Sequence, residues 1–334
     1  MLKEQQLKTL KTGKNLLAFS GGVDSTALFF LLQKFYITFD IAIVDYGSRK
    51  QSKEEVKYAN QLASKHNLKC HLLNAKKIEK NFEAKAREIR YDFFEQLIRE
   101  HNYDNLITAH HLGDRFEWML MQFCKGAGCA EMAGMQSEQN REFYKLIRPL
   151  LHLDKTELLE FLQTNSIKYF QDESNFDESI KRNSFRHNYT QPLLNKYLNG
   201  IKKSFKYMDE DKKELIKEIE IQTQDEFAYF KSSKNKRADI FTIDKYLKSK
   251  LHMPSTNERE LLKTQKTVVL GRKFVINQEH GYIFIMPYKN QNLYMPKAFK
   301  EECRILKIEP KLRPYLYTNK TAFLKTKDLI KKVN

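Results

Sequence analysis

Short apolar runs alternate with amphipathic segments along the first 175 residues of the chain. The runs have the length of buried strands, whereas the segments between them repeat apolar residues at the 3.6-residue period of a helix. Strands are predicted at residues 15–19, 39–44, 69–73, 105–109 and 144–150, and helices at residues 25–35, 52–66, 82–100, 112–125 and 154–164. This alternation predicts an α/β fold with a doubly wound parallel sheet, helices on both faces and a ligand at the carboxyl ends of the strands.

The pattern changes after Pro192. Helical periodicity covers residues 196–221, 243–251 and 257–265, with a basic loop at 231–237. Two apolar runs, 273–276 and 282–286, flank a polar stretch and predict a β-hairpin. We therefore place a domain boundary near residues 195–215. It separates a first domain, 1–195, from a mainly helical basic region, 196–334, with a hairpin near 273–286.

Composition excludes several classes of protein. The apolar runs are far shorter than the roughly 20 residues that a bilayer requires, and the first residues include Lys and Gln. We therefore expect a cytoplasmic protein with no membrane partner. The four Cys residues are scattered without a C-x-x-C pair, so neither a disulfide framework nor a zinc ribbon is predicted.

The net charge of +17 is concentrated in the C-terminal part, where the residues after 190 carry +14. A basic block of this size attracts polyanions, and nucleic acid is the commonest of these in the cytoplasm. The alternative is a lysine-rich surface that only solvates the protein.

The most specific motif is Ser20-Gly21-Gly22-Val23-Asp24-Ser25, which follows the first predicted strand and opens the first helix. Its glycines allow a tight turn and close approach of a ligand, and the amides of a helix N-terminus favour an anion. The loop lacks the Gly-Lys-Ser/Thr of a Walker A motif. A carboxylate inside a phosphate site is explained if Mg²⁺ bridges Asp24 to the phosphates. A tight turn with a capping Asp is the structural alternative.

This loop resembles the signature of the PP-loop ATP pyrophosphatases, and further motifs resemble those of the tRNA(Ile)-lysidine synthetases. These motifs match the family in order and in spacing from residue 15 to about 195, and only short matches remain after that. They are residues 44–49 (VDYGSR), 81–91 (NFEAKAREIRY), 108–117 (TAHHLGDRFE), 172–175 (DESN) and 182–186 (RNSFR). The resemblance implies an adenine nucleotide alpha hydrolase-like fold for the first domain and a nucleotide or tRNA contact for the motif residues Asp45, Arg87, Arg90, His110, His111, Arg182, Asn183 and Arg186.

Two pairs of motif residues fit this chemistry by their spacing. Asp114 and Glu117 lie three apart on a predicted helix after a strand end, so both carboxylates could share a metal ion; a solvated helix face is the alternative. Arg182 and Arg186 lie four apart and would suit a row of phosphates.

For the other motif residues, a structural role remains an alternative to ligand binding. Arg87 and Arg90 share a helix face, where phosphate binding competes with salt bridges to Glu83 or Glu88. His110 and His111 lack a third metal ligand at suitable spacing, so we expect at least one to be structural or to contact the nucleotide.

Four positions depart from the family pattern: Tyr46 replaces a His, Gly113 an Asp, Arg115 a Gln, and Trp118 usually a Thr. They put nucleotide contacts at these positions in question. Trp118 is expected to be a core residue rather than a base-stacking one.

The resemblance implies a two-step reaction. ATP would adenylate the C2 oxygen of the wobble cytidine in the CAU anticodon of tRNA(Ile), and the ε-amine of L-lysine would then displace AMP. ATP and Mg²⁺ are the expected cosubstrate and metal. A homodimer is compatible with the sequence. The alternatives are a PP-loop tRNA thiolation enzyme, disfavoured by the spacing of Cys124 and Cys129, and a small-molecule amide-forming ATP pyrophosphatase, which would not need the basic region.

Overall fold

The computed structural model describes residues 1–47, 51–76, 78–79, 81–171, 181–215, 219–289 and 293–332. Two predicted motif segments, Ser48-Arg49 and Asp172-Glu173-Ser174-Asn175, lie outside these residues. The chain divides into two compact units, Met1–Lys212 and Lys213–Asn334. Among the described residues, no helix has the length and apolarity needed to cross a bilayer.

The first unit contains a six-stranded sheet in the order β3-β2-β1-β4-β6-β5. All neighbouring strands are parallel except β5 and β6, which pair antiparallel. The predicted parallel, doubly wound fold is therefore confirmed, with an antiparallel edge strand that was not predicted. The strands are β1 (Asn15–Ala18), β2 (Asp40–Asp45), β3 (Cys70–Asn74), β4 (Asn105–Ile107), β5 (Glu138–Asn140) and β6 (Lys145–Ile147).

Helices cover both faces of this sheet because its central strands are apolar on both sides. Leu17, Ile41 and Ile107 pack with α2 (Val23–Lys34), α3 (Gln51–Lys65) and α7 (Lys155–Thr164) on one face, whereas Leu16 and Leu106 pack with α4 (Phe82–His101) on the other. Burial on both faces explains why these strands appear as continuous apolar runs. The helices of the unit are α1 (Glu4–Thr12), α2 (Val23–Lys34), α3 (Gln51–Lys65), α4 (Phe82–His101), α5 (Leu112–Phe123), α6 (Cys129–Met132), α7 (Lys155–Thr164), α8 (Lys181–Phe185) and α9 (Gln191–Leu215).

A long helical run ends the first unit. It starts with α8, continues through a π-helical turn, Arg186–Thr190, and ends with α9, which is kinked at Tyr197. Leu194 and Phe205 of α9 pack against Leu112 and Phe116 of α5. This contact holds the run beside the helix that carries Asp114 and Glu117.

The second unit contains a five-stranded antiparallel sheet in the order β7-β8-β11-β10-β9. The strands are β7 (Gln222–Gln224), β8 (Phe227–Lys231), β9 (Thr267–Leu270), β10 (Phe274–Glu279) and β11 (Tyr282–Pro287), and the helices are α10 (Lys236–Ser249), α11 (Thr256–Thr264), α12 (Lys297–Ile305), α13 (Arg313–Thr318) and α14 (Lys320–Lys331), with a 3-10 turn at Pro310–Leu312. α10 and α11 pack on one face of the sheet, and α12 to α14 on the other.

The predicted hairpin is confirmed as β10 and β11. His280 and Gly281 both adopt positive φ at its two-residue turn, the conformation that matches the twist of paired strands. The predicted mainly helical region is confirmed, but three further strands that were not predicted extend the hairpin into a sheet. One of them, β8, ends at Lys231, where the basic loop was expected to begin.

Candidate active site

The glycine loop lies at the carboxyl end of β1, where the fold predicts a ligand. Gly21 adopts a φ of +76°, and its carbonyl oxygen accepts a hydrogen bond from the Phe170 amide at 2.9 Å. A Cβ atom at Gly21 would lie 3.2 Å from the Phe170 ring. Both the dihedral angle and the close ring favour glycine at this position.

Side chains of the loop close it from within, and the Gly22 amide donates to Ser20 Oγ at 3.5 Å. The Ser20 amide donates to Ser25 Oγ at 3.2 Å, and Ser25 Oγ lies 3.3 Å from the Gly22 carbonyl oxygen. Gly22 is the N-cap of α2, and no side chain in the described part of the chain caps this helix. The first turn of α2, with Val23 and Asp24, therefore presents uncapped amides and the positive end of the helix dipole, which suit a phosphate.

His111, at the start of α5, lies close to two carboxylates. Its Nδ1 accepts a hydrogen bond from the Gly113 amide at 3.0 Å, which leaves the proton of the neutral imidazole on Nε2. That Nε2 lies 3.8 Å from Asp24 Oδ2 and 3.7 Å from Asp114 Oδ2. Both distances exceed that of a hydrogen bond, and Asp114 is positioned by the His111 amide, which donates to its Oδ2 at 3.1 Å.

Gly113, one of the departures from the family pattern, is explained by this arrangement. A Cβ atom there would lie 2.7 Å from His111 Cε1, so any side chain would displace the ring from its hydrogen bond.

Asp114 and Glu117 are both bound by arginines from the helical run. Arg182 Nε and Arg186 Nε donate to the two oxygens of the buried Glu117, the latter at 2.9 Å. The Nη2 atoms of both arginines also lie within 3.3 Å of Asp114 Oδ1. The two predicted pairs, carboxylates and arginines, thus form one cluster, and the neighbouring Asn183 is buried.

Neighbouring groups shift the pKa values of Asp114 and His110. Burial alone would raise the pKa of Asp114, but His111, His110, Arg182 and Arg186 hold it well below its usual range. Burial, aided by Arg148, Arg87 and Arg182, lowers the pKa of His110 to about 4, although Asp114 acts in the opposite direction. His110, whose Nδ1 lies 3.0 Å from Thr108 Oγ1, is therefore neutral at pH 7 beside an ionised Asp114.

The remaining predicted contact residues lie at β2 and α4. Asp45 Oδ1 accepts a hydrogen bond from the Gly47 amide at 2.7 Å and shapes the turn after β2. Arg87 and Arg90 are exposed on α4, and neither forms an ion pair with Glu83 or Glu88 among the described residues. Arg87 instead lies over the Tyr91 ring, 4.8 Å from its centroid.

Two of the departures from the family pattern, Tyr46 and Arg115, form hydrogen bonds within the protein. The Tyr46 hydroxyl donates to the Ala86 carbonyl oxygen at 2.9 Å, and burial raises the pKa of this phenol, with Arg90 acting in the opposite direction. Arg115 is buried on α5, where it donates to both carboxylate oxygens of Asp209 and to the Ala133 carbonyl oxygen. Sequence reasoning did not find the Arg115–Asp209 pair, because 94 residues separate its members.

The predicted position of Trp118 was wrong. It was expected in the core, but 44% of its surface is exposed.

Comparison with known proteins places the chain. A PP-loop domain family model matches residues 2–193. The chain is 44% identical over 312 residues to the tRNA(Ile)-lysidine synthase of Helicobacter pylori, covering 93% of this chain and 91% of that protein. It is also 44% identical over 325 residues to that of Campylobacter jejuni strain RM1221, covering 96% and 97%.

The chain belongs to the tRNA(Ile)-lysidine synthase family. It is accordingly a ligase that forms a carbon–nitrogen bond, and its PP-loop domain implies the use of ATP. The similarity extends through the basic second unit, well beyond residue 195 where the recognisable motifs fade. Among solved structures, U34-tRNA thiolase NcsA from Methanococcus maripaludis aligns with a TM-score of 0.52 at 17% identity, covering 65% of this chain and 80% of that one, which shows a shared fold.

Proposed function

We propose that this protein converts the wobble cytidine of a CAU-anticodon tRNA(Ile) to lysidine, using ATP and free L-lysine. The observation that carries the proposal is the 44% identity to lysidine synthases over nearly the whole chain. The matched part includes both the glycine loop Ser20 to Ser25, which is the proposed phosphate cradle, and the basic second unit. In the first step the cytidine C2 oxygen attacks the α-phosphate of ATP, and pyrophosphate leaves. In the second the ε-amine of lysine attacks C2, and AMP leaves with that oxygen.

The first step requires stabilisation of negative charge on the leaving pyrophosphate. The uncapped amides of α2 and the loop Ser20 to Ser25 are placed to hold these phosphates. Charge stabilisation by fixed dipoles is effective because the dipoles need no reorganisation during the reaction.

The carboxylates beside the loop suit Mg²⁺ in part. Among the described residues, Asp24 Oδ1 is buried without a hydrogen-bond partner, and Asp114 lies near the same imidazole nitrogen as Asp24. Asp114 Oδ1 and both oxygens of Glu117, in contrast, are paired with arginines. The described residues hold no group of three His, Cys, Asp or Glu residues suited to a metal ion, so ATP phosphates would complete the coordination. Bound Mg²⁺ would supply positive charge to the phosphates, while Glu117 keeps Arg182 and Arg186 in place.

The second unit is the proposed site for most of the tRNA. Its residues belong to the C-terminal part, which carries +14, and phosphate contacts of Lys and Arg dominate affinity for nucleic acid. Arg87, Arg90 and the cluster arginines would contact the nucleotide or the anticodon loop at the first unit. Light scattering of the purified protein tests whether it forms a homodimer.

The proposal is tested by incubating the protein with ATP, Mg²⁺, labelled lysine and tRNA(Ile) transcript, followed by nucleoside analysis. We expect label in lysidine only when all components are present, and none with tRNA(Met), which shares the CAU anticodon. The Cys124→Ser/Cys129→Ser variant should keep this activity. Absence of lysidine, or a sulfur-containing nucleoside that requires these cysteines, would overturn the proposal.

A further inference from the structure

Trp118 occupies an unusual place for a large aromatic side chain. It is the single Trp of the chain and lies on α5, directly after Glu117 and four residues after Asp114. Residues four apart share a helix face, so the indole lies one turn from the carboxylate that faces Asp24. With 44% of its surface exposed, it is an aromatic surface at the edge of the active site.

The indole is held in place by a turn that only glycine permits. Gly134 adopts a φ of +59°, and a Cβ atom there would lie 2.6 Å from Trp118 Cδ1. The residue before it is fixed as well, because Arg115 Nε and Nη2 donate to the Ala133 carbonyl oxygen at 3.2 and 2.9 Å. The structure therefore supports one part of the ring and leaves the rest open to solvent.

An exposed, fixed aromatic ring suits one ligand chemistry of the proposed reaction. The cytidine must leave its base stack to react, and it loses stacking on both faces. Proteins replace this contact with aromatic side chains, which accept any unstacked base. We infer that Trp118 is a stacking platform for an unstacked base of the tRNA anticodon loop, an inference that rests on the proposed function.

Phe123 provides a matched control on the same helix. It is even more exposed, at 65%, but it lies nine residues after Asp114 and so points to the opposite side of α5. A base stacked near the ATP loop should therefore contact Trp118 and not Phe123.

Kinetics with three variants test the inference. Trp118→Leu keeps apolar contact with Gly134 but removes the ring, so we expect kcat/KM for tRNA to fall about 10- to 100-fold, the loss typical of one base stack. The KM for ATP should stay within about twofold. Trp118→Phe should retain most activity, and Phe123→Leu should behave as wild type. Normal tRNA kinetics in Trp118→Leu would overturn the inference.

Fluorescence gives a second readout, because all tryptophan emission comes from this residue. A CAU anticodon stem-loop RNA should quench the emission, whereas a fully paired RNA duplex of equal length should not, since its bases stay stacked. Unchanged emission at a stem-loop concentration that saturates lysidine formation would also overturn the inference and leave the proposed function intact. Failure of the wild-type protein to form lysidine would overturn both.

Discussion

The His111 imidazole lies close to both candidate metal ligands, Asp24 and Asp114. His111 receives the Gly113 amide on one nitrogen and faces Asp24 and Asp114 with the other. The cradle and the carboxylates therefore belong to one site, although 90 residues separate Asp24 from Asp114. Because Asp24 is on the loop itself, its charge can be removed without disturbing a packed core.

Asp24→Asn tests that charge. The amide keeps the shape of the side chain but removes the negative charge, so turnover should fall by about 10² to 10³, the loss typical of one preorganised electrostatic partner. The rate of lysidine formation across a Mg²⁺ titration measures the effect, and thermal unfolding shows whether the fold is kept. Asp104→Asn, at the opposite edge of the sheet before β4, is the control and should keep wild-type turnover. Wild-type rates and Mg²⁺ dependence in Asp24→Asn would refute the loop assignment.

His110 should make stability depend on pH. Its pKa is about 4 in the folded protein against an ordinary value near 6.5, so the unfolded chain takes up a proton first as the pH falls. Stability from this residue is complete above about pH 6.5 and is lost as the pH falls toward 4, by at most about 1.4 kcal/mol per pH unit.

Comparison with His110→Gln isolates this contribution. The free energy of unfolding should fall less steeply below pH 6.5 in the variant, while the other histidines titrate in both proteins. Identical pH profiles from denaturant titrations would show that His110 has an ordinary pKa.

At the scale of single residues, the sequence predicted which residues belong to the candidate site better than it predicted which of them contact each other. Motif spacing placed Asp114 with Glu117 and Arg182 with Arg186 on common helix faces. It could not predict that these faces meet, because helical period says which residues share a face and nothing about the face opposite. Contacts such as that of Tyr46 with Ala86 are hidden for the same reason.

At the scale of elements, α5 is fixed to α9 by apolar packing and by one ion pair. Arg115 is buried, whereas the side chain of Asp209 is 44% exposed. Among the described residues, removing Asp209 would leave the buried guanidinium with the Ala133 carbonyl oxygen and the Phe205 ring but no counter-charge, a situation that is costly in protein interiors. Water at the exposed side would solvate part of that charge.

Asp209→Ala should therefore destabilise the protein by about 2 kcal/mol, below the 3–5 kcal/mol of a fully buried pair. The double variant Arg115→Met/Asp209→Ala should recover part of this loss, because no unpaired charge stays buried. Denaturant unfolding of the two single variants and the double variant gives the coupling between the residues. A double variant that is simply the sum of the two singles would mean that the pair contributes nothing.

Apolar side chains made most strands predictable, although β8 and β9 are apolar and were missed. The central strands β1, β2 and β4 and the hairpin strands β10 and β11 are apolar and were found. The missed edge strands β5 and β7 read Glu-Gln-Asn and Gln-Thr-Gln. Such strands are held by backbone hydrogen bonds to one neighbour and leave no hydrophobic pattern in the sequence.

At the scale of the whole molecule, each compact unit has hydrophobic clusters of its own. Three clusters lie within the first unit and two within the second. The phosphate cradle and both candidate metal carboxylates precede residue 120, whereas the excess positive charge follows residue 190. Binding of ATP and binding of tRNA should therefore respond differently to loss of the second unit.

A fragment of residues 1–215 should keep ATP affinity and lose most of the salt dependence of tRNA binding. Each phosphate contact releases counterions, so the logarithm of affinity falls with the logarithm of salt concentration by about 0.7 to 0.9 per contact. The full chain should show a steep slope and the fragment a shallow one, set by the arginines of the first unit. Anisotropy titrations with labelled tRNA at several salt concentrations, alongside ATP titrations, measure both quantities. A slope unchanged by the truncation would mean that the +14 only solvates the surface, and a loss of ATP affinity would mean that the cradle depends on the second unit for its structure.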